Sequence, residues 1–137
     1  MKKILILLLA IPLLSLTTKN DTSRFIGKWK GEDNGDIGYI IFDKEGYATF
    51  EIQGKTFGGK EFVLKEEKGS LTYKIDDSKD PIQVDFIITK LATGEEKRLL
   101  CIANFLDTDT MEFAINYKNN RPTEFDTENS IILKREK

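Results

Sequence analysis

The chain has 137 residues, with 23 acidic and 21 basic side chains, one cysteine and no histidine. Without histidine, serine–histidine and cysteine–histidine catalysis and most zinc sites are excluded, and one cysteine cannot form an internal disulfide. The mildly acidic balance argues against nucleic acid or an anionic membrane as partner. We expect one domain, no enzymatic activity, no cofactor and no bound metal.

The first predicted element is a secretory signal peptide over residues 1–17. Two lysines precede a short apolar run, and small residues follow it. This order, with about 7–15 apolar residues, is typical of a signal peptide, whereas a membrane-spanning helix needs about 20 apolar residues. We therefore predict cleavage after Thr17, a secreted or periplasmic location, and a mature domain over residues 18–137 without an integral membrane segment.

The rest of the chain is predicted to form short strands separated by polar turns. A polar stretch before Phe25 predicts one helical turn. Apolar and polar side chains then alternate, most clearly where Leu71, Tyr73 and Ile75 are separated by polar residues. Strands are predicted around Trp29 and over residues 38–42, 47–53, 61–64, 71–76, 84–88, 98–105, 111–116 and 131–135.

Strand spacings of about 8–12 residues, without an amphipathic helix of three turns, predict an all-β fold. Consecutive hairpins lead most simply to a single antiparallel up-and-down barrel of about eight strands, with a two-sheet sandwich as the alternative. In the barrel, the first and last strands pair. Gly27, Trp29 and Arg135 then form a structural closure in which the guanidinium lies across the indole, a contact worth about 0.5–2 kcal/mol.

Three segments and the Gly-x-Trp start carry a resemblance to a known family. They are Gly27-Lys28-Trp29 with Arg135 on the last strand, residues 71–81, residues 121–125 and residues 132–136. The pattern resembles the calycin arrangement, and more closely the small secreted bacterial lipocalin-like domains that are abundant in planctomycetes and largely of unknown function. This resemblance covers the chain from Phe25 onward and implies a lipocalin-like β-barrel.

The resemblance is to ligand carriers and implies a non-enzymatic binding protein that holds a small apolar or amphipathic molecule in the barrel. An eight-stranded barrel is just wide enough either to hold one small ligand or to be filled by side chains. Large apolar residues on the strands compete to fill this interior, and tyrosines supply polar handles. The residues predicted to line the ligand site are Tyr39, Tyr47, Tyr73, Phe86 and Phe113.

The alternative is an extracytoplasmic protein-interaction module with a filled core. Its partners would meet loops at the open end, including residues 54–59 and 119–126. In the second loop, Arg121 and Glu124 are candidate recognition residues, although Arg121, Pro122 and Phe125 are better explained as pinning the loop to the barrel. Cys101 lies in an apolar strand pattern and is predicted to be a buried hydrophobic residue, not a reactive thiol.

Overall fold

A computed structural model describes residues 22–33, 35–116 and 119–137. The predicted signal peptide lies outside these residues. Within them, no helix combines the length and the apolar character needed to span a membrane. A 3₁₀ turn at Thr22–Phe25 precedes the first strand, as the polar stretch before Phe25 predicts.

Ten strands follow in the described residues, and each pairs antiparallel with its neighbours. Their bounds are Gly27–Asp33 (β1), Asp36–Phe42 (β2), Ala48–Ile52 (β3), Lys55–Gly58 (β4), Phe62–Leu64 (β5), Glu67–Asp76 (β6), Ile82–Lys90 (β7), Glu96–Asp107 (β8), Thr110–Asn116 (β9) and Ser130–Arg135 (β10).

The strands follow the chain as consecutive hairpins, and the last strand returns to the first. The hydrogen-bonded order is β4-β3-β2-β1-β10-β9-β8-β7-β6-β5. Trp29 of β1 lies directly opposite Arg135 of β10. The predicted all-β fold and antiparallel barrel are confirmed, with ten strands in place of about eight.

The two additional strands come from one excursion of the chain between β3 and β6. At the end of the barrel that holds Trp29, called here the closed end, β3 meets β6 directly. Tyr47 and Thr72 form a bridge, and the Tyr73 amide donates to the Gly46 carbonyl at 3.0 Å. Eight strands therefore form the ring at the closed end, while β4 and β5 widen the opposite, open end.

Side-chain alternation on the strands fills the barrel with apolar groups. One cluster joins every strand of the ring and includes nine of the ten largest side chains that are almost entirely buried in the described residues. The ten are Trp29, Phe25, Phe42, Phe86, Phe113, Leu71, Ile102, Met111, Val84 and Cys101, of which Ile102 lies outside the inner cluster. The core therefore belongs to the barrel interior, with a smaller apolar layer on its outer wall.

The outer layer lies under the loop that connects β9 to β10. Three residues face outward on the barrel wall and are nevertheless buried. They are Ile87 on β7, Ile102 on β8 and Ala114 on β9, each of which alternates with inward-facing residues. Pro122 of the connecting loop is buried as well. The loop thus folds back onto the wall of the barrel.

Candidate functional site

Phe86 and Phe113, two of the predicted ligand-lining residues, lie at the centre of the packed interior. Neither side chain has any solvent-exposed surface. The Phe86 ring centroid is 5.7 Å from that of Phe42, 4.9 Å from that of Phe50 and 6.1 Å from that of Phe113. A side chain bordering a cavity large enough for water would retain accessible surface, so this part of the interior is filled by protein.

Tyr73 faces the interior, but its hydroxyl is already engaged. The hydroxyl donates a 2.6 Å hydrogen bond to the Asp43 carbonyl, and the ring packs edge-on against Phe42 with centroids 4.8 Å apart. Burial raises the pKa of the Tyr73 phenol, and the negative charge of Asp43 adds to this. Tyr73 therefore ties the β2–β3 turn to β6.

Tyr39 and Tyr47 lie on the outer face of the barrel, not in the interior where the sequence places them. Tyr39 alternates with the buried Ile40, and the Lys28 ammonium lies 4.4 Å from the centroid of its ring. Tyr47 precedes the buried Ala48 and shares the outer face with its bridge partner on β6. Strict alternation along a strand is the reason, because the inward positions are those of Ile40 and Ala48.

At the closed end, Arg135 lies across Trp29, with the guanidinium carbon 4.3 Å from the ring centroid. The indole N–H donates a 2.8 Å hydrogen bond to the Phe25 carbonyl. Arg135 Nη1 donates to the Ile26 carbonyl at 2.9 Å, and Nη2 donates to the Arg24 carbonyl at 2.7 Å. The last strand therefore holds the 3₁₀ turn that plugs this end of the barrel.

Gly27 contributes to this closure through its missing side chain. Its φ is +134°, and a Cβ placed there would lie 3.1 Å from Arg135 Nη1. A side chain at this position would crowd the guanidinium and would require a backbone conformation that L-residues rarely adopt. Arg135 therefore lies against both of the other residues predicted for the closure, Gly27 and Trp29.

Asp109 completes the closed end as the carboxylate partner of Arg135. Arg135 Nε donates to Asp109 Oδ1 at 2.9 Å, and Lys137 Nζ lies 2.8 Å from Oδ2. The hydrogen bond from Lys137, and then that from Arg135, lower the pKa of the Asp109 carboxyl. Because the pKa of Asp109 is lower in the folded state, ionisation of its carboxyl stabilises the fold, fully so above the unfolded-state pKa of about 3.9. This stabilisation is lost as the pH falls through the folded-state pKa.

We therefore expect Asp109→Asn to lower the melting temperature at pH 6 and to have a smaller effect at pH 2. As the pH falls through the lowered pKa of Asp109, the wild-type carboxyl becomes protonated, so the two proteins become more alike. Thermal unfolding followed by circular dichroism between pH 2 and pH 7 measures this convergence. Asp36→Asn, which removes the same charge at the open end, serves as the control. A difference from wild type that does not depend on pH would contradict the assignment.

Arg121 pins the β9–β10 connection to the outer wall. Its Nη2 lies 2.7 Å from Asp85 Oδ1, and its Nη1 donates to the Cys101 carbonyl at 3.0 Å. Arg98 binds the other carboxylate oxygen of Asp85 at 3.2 Å. Arg121 thus has the pinning role, whereas Glu124 is exposed. The sequence feature that could have identified Asp85 as a partner of Arg121 is its position as a single aspartate on the outward side of an apolar strand.

Cys101 is buried, as the sequence predicts. Burial raises the pKa of its thiol well above the ordinary value, and the nearby Asp85 charge acts in the same direction. The thiolate is the nucleophilic form of cysteine, so this side chain packs as a small apolar group. Within the described residues, no group of three acidic or cysteine side chains is arranged to hold a metal ion.

A groove of about 650 Å³ lies on the outer wall where β1 and β10 separate. Their ladder ends with Gly31 opposite Leu133, although β1 continues to Asp33. The groove lining combines both signs of charge with apolar surface and includes Lys30, Lys134, Glu32, Glu112 and Ile132. This mixture singles out no class of small ligand.

The open end holds a second feature, a break in the ring of strands. In the described chain, β4 and β5 are the two strands that pair on one side only. We call the gap between their free edges the seam. The Phe57 ring on β4 and the Phe62 ring on β5 border it, with centroids 6.3 Å apart. Residues 54–59 are predicted to form a loop, because the four residues of β4 are too few to show an alternation of apolar and polar side chains.

Two tight turns flank the seam, Gln53-Gly54 before β4 and Lys65-Glu66 after β5. All four residues have positive φ, with values of 52°, 78°, 51° and 69°. This is the type I′ pattern of two-residue hairpins, which favours asparagine and glycine. Lys65 and Glu66 adopt it without the help of glycine. The sequence therefore gives little indication of a hairpin turn at Lys65-Glu66. Gln53-Gly54, which contains a glycine, is closer to the residue pairs that such turns favour.

The chain matches no protein-family model, no curated protein and no solved structure. The likeness to lipocalin-like domains therefore stays a prediction from the residues that carry it.

Proposed function

We propose that this domain is a non-enzymatic, extracytoplasmic protein-interaction module. Its barrel is filled by its own side chains, and its partner contacts the outside and the open end. The observation that carries this proposal is the complete burial of Phe86 and Phe113 among aromatic neighbours. A carrier of apolar molecules needs interior surface, and here the side chains occupy it.

The apolar surface that remains exposed supports an external binding role. Ile52, Val63, Leu64 and Leu91 are all about half exposed or more, and they belong to strand ends or turns at the open end. Exposed apolar patches on soluble domains mark interaction sites more often than isolated exposed residues do. At the closed end, Trp29 and Arg135 seal the barrel interior, and Leu106 is about half exposed near the β8–β9 turn.

A small apolar ligand held in the barrel is the second candidate function. Ile52 and Leu64 favour it, because strand alternation directs both towards the interior at the open end while they stay 47% and 52% exposed. Any such ligand would sit in the mouth of the barrel, above the packed aromatic layer. Barrel mouths are known ligand sites.

Titration with apolar probes separates the two candidates. The purified, delipidated protein is mixed with 1-anilinonaphthalene-8-sulfonate or with lauric acid while Trp29 emission and the melting temperature are followed. We expect neither signal to change, and we expect chemical cross-linking in the extracytoplasmic fraction to yield a defined protein partner. A ligand at 100 times its Kd would stabilise the fold by about 2.7 kcal/mol. A saturable rise in melting temperature with either probe would replace the interaction module with the ligand carrier.

A further inference from the structure

We propose that this protein forms a symmetric dimer through the outer wall of β2, β1, β10 and β9. The partner is a second copy of the chain, and the contact is made by two rows of side chains of opposite charge. This wall does not include the apolar residues named above for the open end. Self-association here is therefore additional to the proposed interaction at the open end, and neither requires the other.

The strand register defines the first row, called here the lysine row. Lys30 of β1 lies directly opposite Lys134 of β10. Tyr39 on β2 and Thr110 on β9 continue the row on either side. Each of these residues is next to a buried residue in its strand, so all of them face outward. Like charges directly opposite each other destabilise a sheet, and within the described residues neither lysine has an ion pair.

The second row, called here the glutamate row, lies two residues closer to the open end. Glu32 follows Lys30 on the outer face of β1 and pairs with Ile37 on β2. Glu112 on β9 pairs with Ile132 on β10. The two isoleucines are 44% and 42% exposed, and no ion pair in the described chain engages either glutamate. The wall therefore presents two positive charges beside two negative charges, with exposed apolar side chains among them.

A two-fold axis that runs across the strands, between the two rows, makes this wall complementary to itself. Rotation about the axis exchanges the rows and leaves each strand facing its own counterpart. Lys30 of each copy then faces Glu32 of the other copy. Lys134 lies over Ile132 of the other copy, beside Glu112. In a two-fold interface each contact is formed twice, so every charge of the two rows has a neighbour of opposite sign.

The charge pattern favours a second copy over other partners. Nucleic acid, an anionic membrane or an acidic protein would meet the glutamate row with like charge, and a basic protein would meet the lysine row with like charge. A second copy carries both rows at the same separation, about 7 Å, because two residues of a strand set it in each molecule. The groove of about 650 Å³ between β1 and β10 is lined by residues of both rows. It gives the facing side chains room to interdigitate.

Sedimentation velocity of the purified protein, from micromolar to near-millimolar concentration, tests the dimer. The variants are Lys30→Glu and Glu32→Lys, each of which gives positions 30 and 32 one sign of charge. We expect each variant alone to associate about tenfold or more weakly than wild type, because like charges then face each other. An equimolar mixture of the two variants is expected to form a heterodimer, because every charge at positions 30 and 32 then faces its opposite.

Lys44→Glu is the matched control for the change in net charge. Lys44 is exposed in the turn between β2 and β3, outside the two rows. We expect this variant to dimerise within about twofold of wild type, since a charge away from the contact is screened by salt.

Zero-length cross-linking of the wild-type protein keeps the test decisive if a variant does not fold. A carbodiimide joins a lysine amine to a carboxylate that it touches. In a mixture of isotopically labelled and unlabelled protein, a link that carries both isotopic forms has joined two copies. We expect such links between Lys30 and Glu32 and between Lys134 and Glu112, identified by mass spectrometry.

Several results would count against this dimer. A wild-type protein that stays monomeric at near-millimolar concentration would overturn the inference, as would a dimer that Lys30→Glu leaves intact. Two folded variants that do not associate with each other when mixed would also overturn it. Capture of a different protein by these two rows would replace the second copy as their partner. The proposed function depends on a partner recovered from the extracytoplasmic fraction, so it stands or falls separately.

Discussion

Trp29→Ala is expected to lower the free energy of unfolding by about 3–5 kcal/mol, the range for truncation of a large buried aromatic residue. The indole has no exposed surface. It contacts the Phe105 ring edge-on with centroids 6.0 Å apart, and it donates to the Phe25 carbonyl. Its loss leaves a cavity at the closed end and an unpaired carbonyl on the 3₁₀ turn. Urea denaturation followed by circular dichroism measures the change.

Arg135→Ala is expected to cost less, about 1–3 kcal/mol, because the guanidinium is partly exposed and its carbonyl acceptors can turn to water. The double variant of Trp29 and Arg135 should be less destabilised than the sum of the two, since the residues are in contact. Trp29→Phe is the matched control, because it keeps an aromatic ring and removes the N–H. Wild-type denaturation midpoints for both alanine variants would contradict the closure at this end.

Gly58→Ala is expected to destabilise the fold by about 2–4 kcal/mol, from steric overlap and backbone strain together. Gly58 has a φ of +127°, and a Cβ there would lie 2.5 Å from the Ala48 carbonyl oxygen and 2.8 Å from Thr49 Cα. The chain passes this closely because β4 ends against β3, just before Gly59 bonds to both β3 and β6. The missing side chain at residue 58 thus lets the ring close at β3 and β6.

Gly54→Ala separates the two contributions. Gly54 lies in the β3–β4 turn with a φ of +78°, and no atom lies within 4 Å of the position that its Cβ would take. Alanine there is expected to cost only the backbone term, about 1 kcal/mol. Urea denaturation midpoints of the two variants should therefore differ clearly. Equal losses would contradict the close approach of β4 to Ala48.

The inner face of most strands was predictable, because alternation of side chains is a local property. Phe86 and Phe113 occupy inward positions on β7 and β9, and the buried state of Cys101 follows from the same pattern. Tyr39 and Tyr47 show the limit of such reasoning. A tyrosine fits either face of a strand. Only the pairing of β2 with β3, which places Ile40 and Ala48 in the interior, determines that Tyr39 and Tyr47 point outward.

The sequence by itself determined the all-β class, the hairpin order and the pairing of Trp29 with Arg135, because these depend on strand periodicity and on the two ends of one meander. Only the tertiary structure decided that the interior is packed solid, since filling depends on how side chains from distant strands interlock. It also decided that the ring closes between β3 and β6 and leaves β4 and β5 with free edges. That closure requires the contact of Gly58 with Ala48 and the bridge from Tyr47 to Thr72, which no local pattern encodes.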